Sequence, residues 1–184
     1  MREGDIYIAD SYGKIVDGTL IGDNLGNAIY AASKRGVIFN GSVRDVESLS
    51  EIDGFNFWIR GSDPSAIREM MVASINAPIC IGRATVLPGD VILAKSTGVA
   101  FIPPHLVQEV VIRGEYIALR DAYNFFCIKT GKYEYVNKAF VVEAEVFERD
   151  FHAWLAQKKD LPMPRQELKA YLEQLDAENK ARRK

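Results

Sequence analysis

Twenty residues separate Asp23 from the pair Arg44-Asp45, and that interval has room for one helix and one strand. Leu25, Ala28, Ile29 and Ala32 fall at i, i+3, i+4 and i+7, the spacing of a single helix face. Asp23 or Asn24 is placed to cap its start, Lys34 and Arg35 stand in its last turn, and Gly36 stops it. Val37 to Phe39 is a short apolar run of the kind found in buried strands. In a strand–helix–strand unit the helix start and the strand end share one edge. The segment Gly22-Asp23-Asn24-Leu25-Gly26 and the pair Arg44-Asp45 are therefore expected to converge.

The residue types at that edge have a definite chemistry. Helix starts carry N–H groups with no internal partner, and anions settle there. Two carboxylates hold a hard divalent cation through oxygen and water. A guanidinium grips a carboxylate with two parallel hydrogen bonds. Together they suit chemistry on a small 2-oxo acid. On spacing alone, the competing reading is a plain N-cap at Asp23 and a surface ion pair at Arg44–Asp45.

The rest of the chain divides in two. Ile6 to Asp10 reads as a strand after a Gly-Asp turn, and Ser11 to Gly22 as turns. Asp45 to Ile52 suits a short helix and Phe55 to Ile59 a strand. Strands are expected at Pro78–Ile81, Ala84–Leu87, Val91–Ala94 and Val99–Ile102. Gly4-Asp5-Ile6-Tyr7-Ile8-Ala9 echoes Gly89-Asp90-Val91-Ile92-Leu93-Ala94, either as two units pairing in one sheet system or as one turn rule used twice. From Pro103 the pattern turns helical. Val107, Val110, Val111 and Ala118 suit one face, Phe147, Phe151, Trp154 and Leu155 another, and Leu168, Tyr171, Leu172 and Leu175 a last amphipathic helix. Lys180 to Lys184 reads as a solvated end. The expected division is an α/β core over 1–112 and a helical extension over 113–184.

Composition excludes several classes. The chain has 184 residues and a formal charge of −2, so no basic field argues for nucleic acid. Its apolar runs are short and interrupted, which argues against a membrane span. Cys80 and Cys127 stand alone in apolar surroundings and read as buried free thiols, consistent with a reducing cytoplasm. Gly22-Asp23-Asn24-Leu25-Gly26 does not match a nucleotide-binding glycine loop, which argues against methyl transfer from a nucleotide-type donor.

The Gly22–Gly26 loop, Val37 to Asp45, Arg60-Gly61-Ser62-Asp63-Pro64 and Leu87-Pro88-Gly89-Asp90-Val91 together resemble the family of regulator of ribonuclease E activity A. That family includes divalent-metal aldolases acting on 4-hydroxy-4-methyl-2-oxoglutarate, and some relatives carry an old demethylmenaquinone methyltransferase label. The resemblance covers roughly residues 3–112. It implies a compact α/β sandwich like the swivelling phosphohistidine domain, commonly a homotrimer or higher homo-oligomer with sites near subunit interfaces. It also implies that the N-terminal part of the family domain is absent before Met1. By the same resemblance Asp45 would be the direct protein ligand of Mg²⁺ or Mn²⁺. Arg44 would bind the substrate carboxylate and the developing enolate. Asp23 would orient a metal-bound water that moves protons, and the amides of Asn24, Leu25 and Gly26 would hold the other carboxylate oxygen. The implied activity is that of a class II aldolase or oxaloacetate decarboxylase releasing pyruvate. The alternative is a non-catalytic regulator that binds a ribonuclease or another protein. Two acids, Asp23 and Asp45, favour catalysis. Arg60 is a second candidate for anion contact, with a salt bridge at the Arg-Gly turn as its bland alternative. Asn40 stands where many relatives have Asp, and neither His105 nor His152 is near the motif.

Overall fold

The computed structural model describes residues 1–182; Arg183 and Lys184, the end of the basic tail, lie outside the described residues. The chain forms two compact units, Met1–Pro104 and His105–Lys184. The boundary expected at 112/113 falls inside a long helix that begins at Val107.

In the first unit, β1 (Tyr7–Asp10), β3 (Val37–Asn40) and β5 (Phe57–Trp58) run parallel in the order β1-β3-β5. Beyond them β2 (Thr19–Ile21), β4 (Ser42–Val43) and β6 (Gly61–Ser62) run parallel in the order β2-β4-β6. β2 lies in the segment expected to be turns, since three residues between two Gly-rich turns give too short a periodic signal. Only Gly41 separates β3 from β4, and a side chain there would meet Ser11 Oγ at 1.9 Å. Ser11 is buried and donates to the Asn40 carbonyl at 3.1 Å, so this close approach locks the break between the two sheets.

Helix α1 (Asp23–Ser33) follows β2, and its placement departs from expectation in three ways. Its buried positions are Gly26, Ile29 and Ser33, whereas Leu25, Ala28 and Ala32 face out. Gly26 faces inward because a side chain there would meet Leu49 Cδ2 at 2.2 Å, where α1 lies against α2 (Val46–Ser50). Lys34, not Gly36, ends the helix in the left-handed conformation (φ 55°), and the last turn holds no basic residue. Gly36 instead answers a close approach: a Cβ there would stand 1.5 Å from the Asn56 carbonyl oxygen. The α1-facing core is Ile21, Ile29, Val37, Phe39, Val43, Leu49 and Phe55.

Two hairpins complete the unit, β7 (Ile79–Ile81) with β8 (Ala84–Val86) and β9 (Val91–Lys95) with β10 (Gly98–Ile102). The echoed segments belong to different sheets, so they do not pair; they share a turn. In each, the Asp amide bonds a carbonyl three residues back, at Arg2 and Leu87, across a glycine at φ +94°. In each, the Asp carboxylate then accepts from that residue's own N–H. This is a type II pattern, which needs glycine at its third position. Cys80 is exposed on β7, because alternation along a strand sends it outward whatever its polarity; Cys127 is buried as expected.

The second unit holds α3 (Val107–Thr130), the hairpin β11 (Tyr135–Val136) and β12 (Ala139–Phe140), α4 (Ala144–Gln157) and α5 (Arg165–Arg182). Its core is Leu119, Tyr123, Cys127, Phe151, Leu155, Met163 and Leu168. On α3 this makes 119, 123 and 127 the inward face, while Val110 and Val111 are exposed. The hairpin turns on Asn137 and Lys138, both at positive φ, as a two-residue I′ turn requires. Among the described residues no helix is long and apolar enough to cross a membrane.

One partly exposed network in this unit gives a pH test. Lys132 Nζ lies 2.8 Å from Asp150 Oδ2, and the Tyr133 hydroxyl donates to the same oxygen at 2.7 Å. Lys132 first, then Tyr133, holds the Asp150 carboxyl well below the usual carboxylate range. A depressed carboxylate stabilises the folded state above its unfolded pKa of about 3.9, and that stabilisation fades as the pH falls toward the folded value. In urea titrations followed by near-UV circular dichroism, the wild-type midpoint is expected to fall between about pH 4 and pH 2, while Asp150→Asn gives a flatter profile.

Candidate active site

The carboxyl end of the β2-β4-β6 sheet carries the expected constellation. β2 runs out into Gly22-Asp23, β4 into Arg44-Asp45, and β6 into Asp63. Ligands of parallel α/β sheets bind at this end. Arg44 N–H donates to the Ile21 carbonyl at 3.0 Å and Asp63 N–H to the Val43 carbonyl at 3.0 Å, so neighbouring strand ends are stitched together.

Asp45 occupies the left-handed region (φ 55°, ψ 43°) at the start of α2 and makes no side-chain cap. For a residue other than glycine this conformation is uncommon, and Asp is among the types that tolerate it. The consequence is that the carboxylate points back rather than along α2. Its Oδ2 lies 3.4 Å from Arg44 Nε and 3.5 Å from the Asp23 amide nitrogen, a long hydrogen bond. Arg44 and the Asp45 carboxylate thus meet the backbone amide of Asp23 at one edge, while the Asp23 carboxylate itself accepts from the Asn24 amide. Arg44 and Asp45 side chains are about two-fifths exposed, at 43% and 42%, so both remain open to a ligand.

Gly22 makes the convergence possible. Its backbone (φ −119°, ψ −165°) is open to any residue, yet a Cβ would stand 2.5 Å from Asp45 Oδ2 and 2.9 Å from Arg44 Nε. The glycine is required for space rather than for conformation, a role that sequence reading assigned only to a loop.

The three amides expected to hold a carboxylate do not act as a set. Because the helix starts at Asp23, Gly26 N–H is already inside it and donates to the Gly22 carbonyl at 2.9 Å. Asn24 N–H turns to Asp23 Oδ1 at 2.7 Å. The Leu25 amide donates to no acceptor among the described residues, and the residue is 48% exposed. It is the amide of that set left to meet an anion.

Asp63, the third carboxylate of this edge, is engaged elsewhere. Its Oδ1 accepts from the Ser65 hydroxyl and, at 2.9 Å, from the Ser65 amide. Those bonds hold its carboxyl below the usual range. Among the described residues Arg60 forms no ion pair; its Nε donates to Asn40 Oδ1 at 2.8 Å. Among the described residues no three His, Cys, Asp or Glu side chains converge on a common point. A cation here would take Asp45 and complete its shell with water and substrate oxygens, which is the habit of Mg²⁺. An oxygen donor of this kind suits hard cations, Mg²⁺, Mn²⁺ and Ca²⁺ alike.

The fold and this edge define a small α/β protein with an acid–arginine site at its strand ends. Residues 1–101 match the model of the RraA-like Aldolase/RraA family, and the chain belongs to that family. It is 33% identical over 115 residues to Protein DlpA of Legionella pneumophila, covering 62% of this chain and 18% of that one. It is 27% identical over 108 residues to a protein of Halalkalibacterium halodurans provisionally named 4-hydroxy-4-methyl-2-oxoglutarate aldolase, covering 59% and 50%. The chain thus spans half the length of that relative and less of DlpA. The RNA-processing inhibitor RraA from Thermus thermophilis has the same fold at a TM-score of 0.51 and 25% identity, covering 55% of this chain and 61% of that one.

Proposed function

We propose that the first unit is a divalent-metal-dependent lyase that releases pyruvate from a 4-hydroxy-2-oxo acid or from oxaloacetate. The observation that carries this reading is the approach of Asp45 Oδ2 to both Arg44 and the Asp23 amide. Provisional aldolase names among the relatives support it. Asp45 would hold Mg²⁺ or Mn²⁺, and such an ion, when bound, supplies Lewis-acid polarisation of the 2-oxo group.

The chain's own groups do the rest. Arg44 grips the substrate carboxylate and offsets the negative charge that grows on the enolate. The Leu25 amide donates to the second carboxylate oxygen. Asp23 handles the proton. In aldol cleavage the C4 hydroxyl gives up its proton as the C3–C4 bond breaks, C4 becomes a carbonyl, and the electron pair passes to C3. The resulting pyruvate enolate takes a proton at C3. Decarboxylation of oxaloacetate breaks the corresponding bond, with carbon dioxide leaving in place of the carbonyl product. The regulator reading makes no use of Asp23 together with Asp45, and the lyase reading uses both.

A coupled pyruvate assay across several 2-oxo acids tests this directly. Pyruvate release is expected with Mg²⁺ or Mn²⁺, and EDTA is expected to abolish it. Release that survives EDTA, or its absence with every 2-oxo acid while the chain captures a ribonuclease tightly, would reverse the assignment.

A further inference from the structure

We propose that the face of the β1-β3-β5 sheet turned away from α1 binds a small organic anion with a flat apolar body, of the aryl carboxylate class, between Arg60 and Arg83. Alternation along β3 sends Val37 and Phe39 to the α1 core and Ile38 and Asn40 to the opposite face. Ile38 is in register with Trp58 on β5, and Arg60 lies two residues further along. Ile38, Asn40, Trp58, Arg60, Arg83 and Phe101 are among the residues that enclose a groove of about 510 Å³ there. That volume is within the usual range for small-molecule sites, about 300–1,000 Å³.

The groove's chemistry is one-sided. Trp58 Nε1 donates to the Lys95 carbonyl at 2.9 Å, which fixes the indole as a flat apolar wall. Arg60 Nε is held by Asn40 Oδ1, and Asn40 Nδ2 in turn donates to Asp10 Oδ1 at 2.7 Å. The guanidinium is thereby oriented by a neutral amide, with no carboxylate within ion-pair distance among the described residues. Arg83 stands at the tip of the β7–β8 hairpin, exposed, after Gly82 at φ +63°, and makes no ion pair or side-chain hydrogen bond among the described residues. Two uncompensated guanidiniums beside an indole, Ile38 and Phe101 select a negative head on an apolar body. Asn40 orients Arg60 without pairing its charge; an aspartate there would form an ion pair with it.

The inference does not depend on the lyase reading, and its test does not use turnover. The probe is 2-naphthoate, which lacks a 2-oxo group, measured by isothermal titration calorimetry against 2-naphthalenemethanol as its neutral counterpart. One site is expected, with the alcohol at least about tenfold weaker, since a charge-assisted hydrogen bond is lost. Arg60→Gln and Arg83→Gln are each expected to weaken the acid by about tenfold. Arg83 holds no structural bond, so Arg83→Gln carries the test should Arg60→Gln fail to fold. Arg44→Ala is expected to leave the affinity unchanged. Equal binding of acid and alcohol, an unchanged affinity in either folded Gln variant, loss of binding in Arg44→Ala, or no heat at millimolar acid would each overturn the proposal.

Discussion

Replacing Asp45 with Asn is expected to lower pyruvate release by at least about a hundredfold while leaving the fold intact. Loss of groups that merely orient a metal's ligands costs about 10- to 100-fold, so removal of the proposed ligand itself sets a floor near the upper figure. The fold is expected to survive for two reasons. Asn tolerates the left-handed conformation as well as Asp does, so the φ of 55° at this position is kept. The Arg44–Asp45 pair is about two-fifths exposed and 3.4 Å long, and such surface pairs contribute about 0–1 kcal/mol. Thermal melting of Asp45→Asn should therefore coincide with wild type within a few degrees, and adding excess Mg²⁺ should not restore the rate. Undiminished release in the folded variant would remove Asp45 from the chemistry and the lyase reading with it.

The two parts of this site were unequally legible in the sequence. Twenty residues between Asp23 and Arg44 suffice for one helix and one strand, and that arithmetic placed the two ends on a common sheet edge. The direction of the Asp45 carboxylate was not legible, because it follows from a single residue's left-handed backbone. Neither was the fate of the amides. Whether Gly26 N–H is free depends on whether the helix begins one residue earlier or later, and boundaries are where periodicity carries least information. The inward face of α1 was misjudged for a related reason. Periodicity ranks Leu25 and Ala32 as core, yet Gly26 and Ser33 are buried. The close approach of Leu49 requires a position with no side chain, and Ser33 Oγ satisfies itself on the Ile29 carbonyl at 2.8 Å. Hydrophobicity scales register neither effect. The helical half of the chain was legible in outline, because long amphipathic stripes outlast errors of phase. The Asn137-Lys138 hairpin was not, since lysine in place of glycine hides the turn.

Gly22→Ala should separate site geometry from stability more sharply than any change to a charged group. The added methyl would stand 2.5 Å from Asp45 Oδ2 and 2.9 Å from Arg44 Nε, and both atoms belong to partly exposed, flexible side chains. Those side chains can swing into solvent, so the clash is relieved at the cost of the convergence alone. The backbone at Gly22 (φ −119°) suits alanine, so no conformational strain is added. Stability is expected to change by less than about 1 kcal/mol. Pyruvate release is expected to drop by about a hundredfold, as for misplacement of a catalytic group by about 1 Å. Gly36→Ala is the contrasting control. There the methyl would meet the Asn56 carbonyl oxygen at 1.5 Å, a backbone atom that cannot rotate away, between α1 and β3. Overpacking of that kind costs on the order of 3 kcal/mol and acts on folding before it acts on rate. If Gly22→Ala keeps full activity, Arg44 and Asp45 do not need their observed approach to the start of α1. If it unfolds like Gly36→Ala, the glycine belongs to the core and not to the site. A stable, inactive Gly22→Ala is the outcome that ties function to the space this glycine leaves open.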